Sequence, residues 1–329
     1  MRTQLLALLL SAQIIGSCQY SQDSSFTLEA NLEGQSLATP RPPMTNLLFQ
    51  SIDGGQTWQD ISADLPENAD LNCFLVHKGE MLLGSGDGLY RKTASSKWQK
   101  DYTLNGEITG IYPTKDGLYA STVKDGLCQN ISGEIWAPMF KNFEDQRFRT
   151  LFEAADKSLF YGCDNGMFKS VDRGKTWKHV YSNGWVIEMA ESNGVLICTN
   201  EQGILRSTDG GEHWEVVISE GGVGINVEVI EGGFAAITYN AESETRRVRI
   251  SEDGGKTWQA IDEGLPPSAN IASIKQVGDY FYCGHPNGVF RSADRGKTWK
   301  LLLPAIKNKV YNLSVSGNVI YAVPQNQGC

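Results

Sequence analysis

The 329-residue sequence has only four histidines and seven cysteines, and no two cysteines stand in the Cys-x-x-Cys spacing of a zinc or redox site. The histidines, at 77, 179, 213 and 285, are scattered along the chain. No His-Glu-x-x-His, Gly-x-Ser-x-Gly or phosphate-binding Gly-x-x-x-x-Gly-Lys-Ser/Thr run occurs. Metal, nucleophile-elbow and phosphate-loop chemistry are therefore without sequence support, and neither a cofactor nor a metal is expected. Basic clusters are also missing. The densest spot, Arg246, Arg247 and Arg249, is interrupted and follows Glu242 and Glu244, in a chain of formal net charge −9. Neutralising phosphates takes clustered Lys and Arg, so no nucleic-acid partner is expected. Helical periodicity is absent beyond the first seventeen residues.

What is present begins with an export signal over 1–17. Arg2 gives a positive start, Leu5 to Ile15 is apolar apart from Ser11 and Gln13, and Gly16 and Ser17 lead to Cys18. The run is too short for a permanent membrane span. Ile15-Gly16-Ser17-Cys18 resembles the bacterial lipobox, with Ile15 where that motif prefers Leu. The resemblance implies a lipid on Cys18, a membrane anchor, and a protein facing the periplasm or cell surface. The alternative is an ordinary secretory signal cleaved nearby and a secreted protein. Residues 18–45 read as a flexible tether ending at Pro40-Arg41-Pro42-Pro43, with one short strand pattern at Phe26 to Ala30.

The rest of the chain repeats itself. Five segments share one pattern, first seen as Ser51-Ile-Asp53-Gly-Gly55-Gln-Thr57-Trp58. The others centre on Asp172 and Trp177, Asp209 and Trp214, Asp253 and Trp258, and Asp294 and Trp299. Two worn copies keep Trp98 and Trp136 but carry Thr93 and Ile131 in place of the Asp. Successive tryptophans are 40, 38, 41, 37, 44 and 41 residues apart, the period of a propeller blade or solenoid unit. Each repeat opens with short alternating apolar runs around Gly-, Asn- and Asp-rich turns, the signature of antiparallel hairpins. Four strands fit into forty residues.

The two ends complement each other. The first repeat has only Asn46 to Gln50 ahead of its Asp segment, so its two leading strands are missing. After Trp299, thirty residues supply one strand pair, Val310 to Val315 and Asn318 to Val323, with Gly328 at the turn position that Leu47 holds at the start. The fold expected over 46–329 is all-β: a seven-bladed propeller of four-stranded antiparallel blades, closed where the C-terminal strands complete the first blade. Closure removes free sheet edges.

This repeat resembles the Asp-box, or BNR, propellers, which include bacterial sialidases, sortilin-type receptors, xyloglucan-specific endoglucanases and photosystem II assembly and stability factors. The resemblance covers about residues 46–329 and is specific for fold, not for function. It implies that the box hairpin joins the third and fourth strands, away from the usual ligand pocket. Box chemistry accounts for a scaffold role without a metal. Asp and Ser in a turn accept backbone N–H groups, Gly permits positive φ, and the Trp packs an indole into the blade. Removing a buried Trp costs about 3–5 kcal/mol. Among the cysteines, Cys198 and Cys283 align with Gly84, Gly162, Ser121 and Ala322, a small-residue position, and no disulfide pairing is evident.

Candidate binding residues lie on the loops expected at the propeller mouth, between blades and between second and third strands. They are Glu144, Arg147, Arg149, Trp185, Tyr239, Arg246 and His285. Trp185 is the only Trp outside a box, and it reads either as an exposed platform for a sugar face or a partner's side chain, or as the half-buried start of a strand. A sialidase would need three converging arginines, a Tyr–Glu nucleophile pair, an Asp acid and an Arg-Ile-Pro motif before the first box. Nothing before Ser51 matches, and Arg249-Ile-Ser runs into a later box instead. Carboxylate pairs such as Glu144 or Asp145 with Glu242 are the remaining glycosidase candidates. The expectation is a monomeric, exported, non-catalytic binding or assembly propeller that takes a protein or glycan at its mouth. A glycan-active enzyme and a carbohydrate-binding surface lipoprotein are the alternatives.

Overall fold

The computed structural model describes residues 46–67, 69–133, 135–139, 147–306 and 309–326. The export signal, Cys18, the tether to residue 45, Glu144, Asp145, Gly328 and Cys329 lie outside the described residues. Among those described, 28 strands form seven four-stranded antiparallel sheets and no helix is present. Blade 1 is composite, with strands in the order Gln59–Asp60, Phe49–Ser51, Val319–Asn326, Lys309–Ser316 from outside to inside. Blades 2 to 7 are continuous over 71–101, 108–138, 148–181, 186–218, 224–260 and 273–304. The expected closure is observed: Phe49 pairs with Ala322, Gln50 with Tyr321 and Ser51 with Ile320.

Each blade presents two faces, and each face needs cover. Seven apolar cores result, one in each seam between consecutive blades. Each core takes one repeat tryptophan from the later blade of its seam: Trp58, Trp98, Trp136, Trp177, Trp214, Trp258 or Trp299. These indoles seal seams instead of entering their own blade's interior. Six are half-buried, and only Trp98 is buried.

The box hairpins work as expected locally and also reach across the seam. In blade 1, Asp53 accepts the Thr57 N–H (2.9 Å) and hydroxyl (2.6 Å), Ser51 Oγ accepts the Gly55 N–H (2.8 Å), and Trp58 Nε1 donates to the Gly55 carbonyl (3.0 Å). The other four boxes repeat this net, with His213 Nδ1 replacing the Thr hydroxyl at Asp209. The hydroxyl and N–H of Thr57, Thr176 and Thr298 hold Asp53, Asp172 and Asp294 down to about 2. The worn copy at Trp136 has lost the net, and its indole N–H has no hydrogen-bond partner among the described residues.

Across the seam, Arg291 Nη1 and Tyr282 Oη of blade 7 both donate to the Gly54 carbonyl, at 2.9 and 3.1 Å. Arg206 Nε of blade 5 donates to the Gly254 carbonyl (2.7 Å), and Lys169 Nζ of blade 4 to Glu212 (2.8 Å). Each of these bases immediately precedes its own blade's box Ser and grips the next blade's box. The closeness shows at the glycines. A Cβ added at Gly211 would lie 2.5 Å from Phe160, and one at Gly296 would lie 2.4 Å from the Ile261 carbonyl oxygen.

Cys198 and Cys283 are buried as expected, but their position differs from the alignment. Pairing places Cys198 opposite Leu205 and Cys283 opposite Phe290, level with Tyr161 opposite Phe168. Gly162, opposite Met167, is one residue nearer the mouth. The position holds Tyr in one blade and Cys in two because seam packing, not a size limit, sets it.

Gly296→Ala combines a left-handed backbone (φ +84°) with a collision against backbone, whereas Gly79→Ala has a similar φ (+81°) and open space. The first is expected to cost about 1–3 kcal/mol more than the second, which carries only the backbone strain of about 1 kcal/mol. Denaturant unfolding of both variants checks this. Equal losses would mean the box does not press on its neighbour.

Candidate functional site

Antiparallel order puts the inter-blade connections and the turns between second and third strands at one end, the mouth, and the boxes at the other. Inner strands begin at the mouth, and five of them carry a one-residue bulge there: between Leu71 and Cys73, Ile108 and Gly110, Phe148 and Thr150, Val186 and Met189, and Gly224 and Asn226. A bulge re-aims the extra side chain. In blade 4 the bulged residue is Arg149.

Arg149 joins two loops. Its Nε donates to Asp164 Oδ1 at 2.5 Å, and its guanidinium lies over the Trp185 ring, 4.8 Å from the centroid. Trp185 is half-buried directly before the inner strand Val186–Ser192 of blade 5. One charged side chain thus ties a turn of blade 4 to the entry of blade 5, with both partners partly exposed. Cation–π contact and the charge-assisted bond fix the guanidinium plane. Arg147 is exposed, and its carbonyl accepts the Asp164 N–H at 3.2 Å.

The other candidates hold connections of blades 6 and 7. Arg246 donates from its backbone to Ser268 (2.8 Å) and from Nη1 to the Ile271 carbonyl (2.9 Å), holding the connection between blades 6 and 7. Tyr239 is half-buried against Gly222, where an added Cβ would come within 2.6 Å of its ring. His285 is buried, with Nε2 2.9 Å from the Pro266 carbonyl and Nδ1 accepting the Asn287 N–H at 3.0 Å. That pattern fits the neutral Nε2–H tautomer, and burial pulls the imidazole pKa down.

Sequence reasoning missed a belt of polar stitches around the central channel. Gln325 donates to the Leu71 and Asn72 carbonyls, Asn72 to the Ile108 carbonyl, and Tyr112 to the Arg149 carbonyl. Glu188 accepts from Asn226 Nδ2 (2.7 Å) and the Val227 N–H (3.0 Å), and Asn226 in turn accepts the Ile274 N–H. Ser273 Oγ donates to the Tyr311 carbonyl and accepts the Leu313 N–H. Lys275 pairs with Glu228 beside them.

Tyr112 and Glu188 are near enough for the carboxylate to help hold the phenol in its neutral form. Their chemistry opposes nucleophilic use. Burial, above all, pushes the Tyr112 pKa up, and its O–H is committed to a carbonyl. Free Cys73 and Cys128 are likewise unreactive, since burial raises their thiols to about 12 and about 11. No group of three His, Cys, Asp or Glu among the described residues is placed to hold a metal.

Comparison with known proteins agrees with the box geometry. The BNR-Asp box repeat matches residues 167–180 and 289–302, and the BNR/Asp-box repeat matches 249–260. The chain is a BNR/Asp-box repeat propeller. Its fold is similar to the extracellular domain of a protein assigned as a hybrid two component system from B. thetaiotaomicron (TM-score 0.63, 12% identity, covering 80% of this chain and 39% of that one). It is also similar to an ancestral GH74 enzyme (0.60, 13%, 85% and 45%). A third similar structure is a catalytically inactive virginiamycin B lyase from Staphylococcus aureus with quinupristin (0.62, 12%, 78% and 95%). The BNR propeller spans less than half the length of the first two, and at these identities the likeness speaks to fold alone. No match is found among the curated proteins.

Proposed function

We propose that this BNR propeller is an exported, non-catalytic binding protein, anchored by a lipid on Cys18, that takes a glycan or protein partner at its mouth. The observation that carries the reading is the Arg149–Asp164–Trp185 cluster, a fixed indole flanked by a guanidinium and a carboxylate on adjoining mouth loops. An indole face suits the C–H face of a sugar or an apolar side chain, and the flanking ions serve hydroxyl and amide groups. Export is supported by the signal-like start and by likeness to extracellular domains. The non-catalytic part rests on the chemistry of the channel, where Tyr112 is held neutral and its O–H is committed to a carbonyl.

On a glycan microarray the intact protein is expected to bind a subset of glycans, with the signal falling at least about tenfold in Trp185→Ala. Fluorogenic sialosides and glycosides should stay uncleaved. Steady hydrolysis would overturn the non-catalytic reading, and Trp185→Ala binding undiminished would remove the mouth cluster from it. In a bacterial host, metabolic labelling with a palmitate analogue is expected to mark the membrane fraction and to vanish in Cys18→Ser. Label retained in that variant would contradict the anchor.

A further inference from the structure

Five Asn-Gly pairs occur in the chain, beginning at Asn105, Asn165, Asn183, Asn193 and Asn287. In such a pair the bare glycine lets its backbone nitrogen reach the asparagine side-chain carbonyl, provided that nothing holds the two groups apart. Four of the pairs are held. Gly166 and Gly288 are locked into sheet ladders opposite Cys163 and His285, and the carbonyls of Asn165 and Asn287 are engaged by His179 Nε2 and the Ala305 N–H. Asn193 sits in a left-handed turn (φ 51°) closed by the Ser192–Val195 pair, and the Asn105 amide donates to the Tyr102 carbonyl at 3.3 Å. The pair at Asn183 differs. Asn183 is exposed on the connection between blades 4 and 5, and among the described residues neither its side chain nor the Gly184 N–H has a hydrogen-bond partner. Only glycine fits at 184: its φ is +95°, and an added Cβ would run into the Glu201 carboxyl group.

We propose that Asn183 is a self-modifying site at the mouth, which deamidates to aspartate or isoaspartate just ahead of Trp185. The Gly184 nitrogen attacks Asn183 Cγ and gives up its proton. The bond from Cγ to the side-chain nitrogen breaks, ammonia leaves, and a five-membered succinimide remains. Water then opens the ring. Addition at the side-chain carbonyl gives aspartate, and addition at the backbone carbonyl gives isoaspartate, with one extra methylene in the main chain. Either product puts a new carboxylate next to the Glu201 carboxyl group, on the connection that carries the Arg149-capped indole. Isoaspartate also lengthens the link between Tyr181, fixed opposite Met167, and Val186, fixed opposite Asn200, and the added length falls on the segment of Trp185. This chemistry is independent of what the mouth binds.

The test is peptide mapping by mass spectrometry of the intact protein aged in buffer at pH 8. Trypsin releases His179–Arg206, which carries the tripeptide Ser-Asn-Gly twice, at Asn183 and at Asn193, so one peptide holds both the site and its control. The mass gain of amide-to-acid conversion is expected to accumulate severalfold faster at Asn183 than at Asn193, Asn105, Asn165 or Asn287. In protein aged in guanidinium chloride, where every turn is released, that lead over Asn193 should vanish. Asn183→Gln, whose ring closure would need a larger ring, should remove the early acidic species seen on isoelectric focusing. Conversion at Asn183 no faster than at Asn193 in the folded protein would overturn the site. So would a lead that persists in guanidinium chloride, or an acidic species unchanged in Asn183→Gln.

Discussion

A four-stranded sheet with two apolar faces is unstable alone, and in this protein every blade depends on a neighbour at each face. That requirement explains the ring. Any open array would leave two bare faces, and the composite blade removes both by pairing Phe49–Ser51 with the strand that ends the described chain. The first box then lies over blade 7, with Arg291 and Tyr282 on the Gly54 carbonyl, so the same hairpin that starts the propeller also grips its last full blade.

Two sets of contacts keep the seams in register. At one end the boxes fold on themselves and accept bases from the preceding blade. Around the channel, amides, hydroxyls and carboxyls bridge backbone groups that the sheet ladders leave free. Apolar cores between these layers supply the bulk of the stabilisation, and the polar contacts fix which blade meets which. The mouth is built on this frame. Arg149 is presented by a bulge, oriented by Asp164 and backed by Trp185, so the cluster stands on strand ends and not on a free loop.

Much of this was legible in the sequence, because the box is a local motif. Ser, Asp, Gly and Trp at fixed spacing specify one turn, and seven tryptophans at blade intervals specify the count. The composite blade was legible for the same reason, as a repeat split between two ends. Contacts between repeats were not. Arg149 and Asp164 lie on different loops, and their bond depends on a bulge that no spacing announces. Asn72 and Asn226 stitch their seams with amides, Ser273 with a hydroxyl, Tyr112 with a phenol and Glu188 with a carboxyl, so no residue pattern recurs to be read. The basic residue ahead of the box Ser in blades 4, 5 and 7 was a usable signal, visible as Lys169, Arg206 and Arg291, but its target lies in the next repeat.

Ring closure is tested most directly by native-state hydrogen exchange of the intact protein. If Phe49–Ser51 is a full member of a closed blade, its hydrogen-bonded amides and those of Val319–Asn326 should exchange only through global unfolding, as slowly as those of Val195–Asn200 in the middle of blade 5. Fast exchange of the Phe49–Ser51 amides, at the rate of a frayed terminus while blade 5 stays protected, would contradict the account.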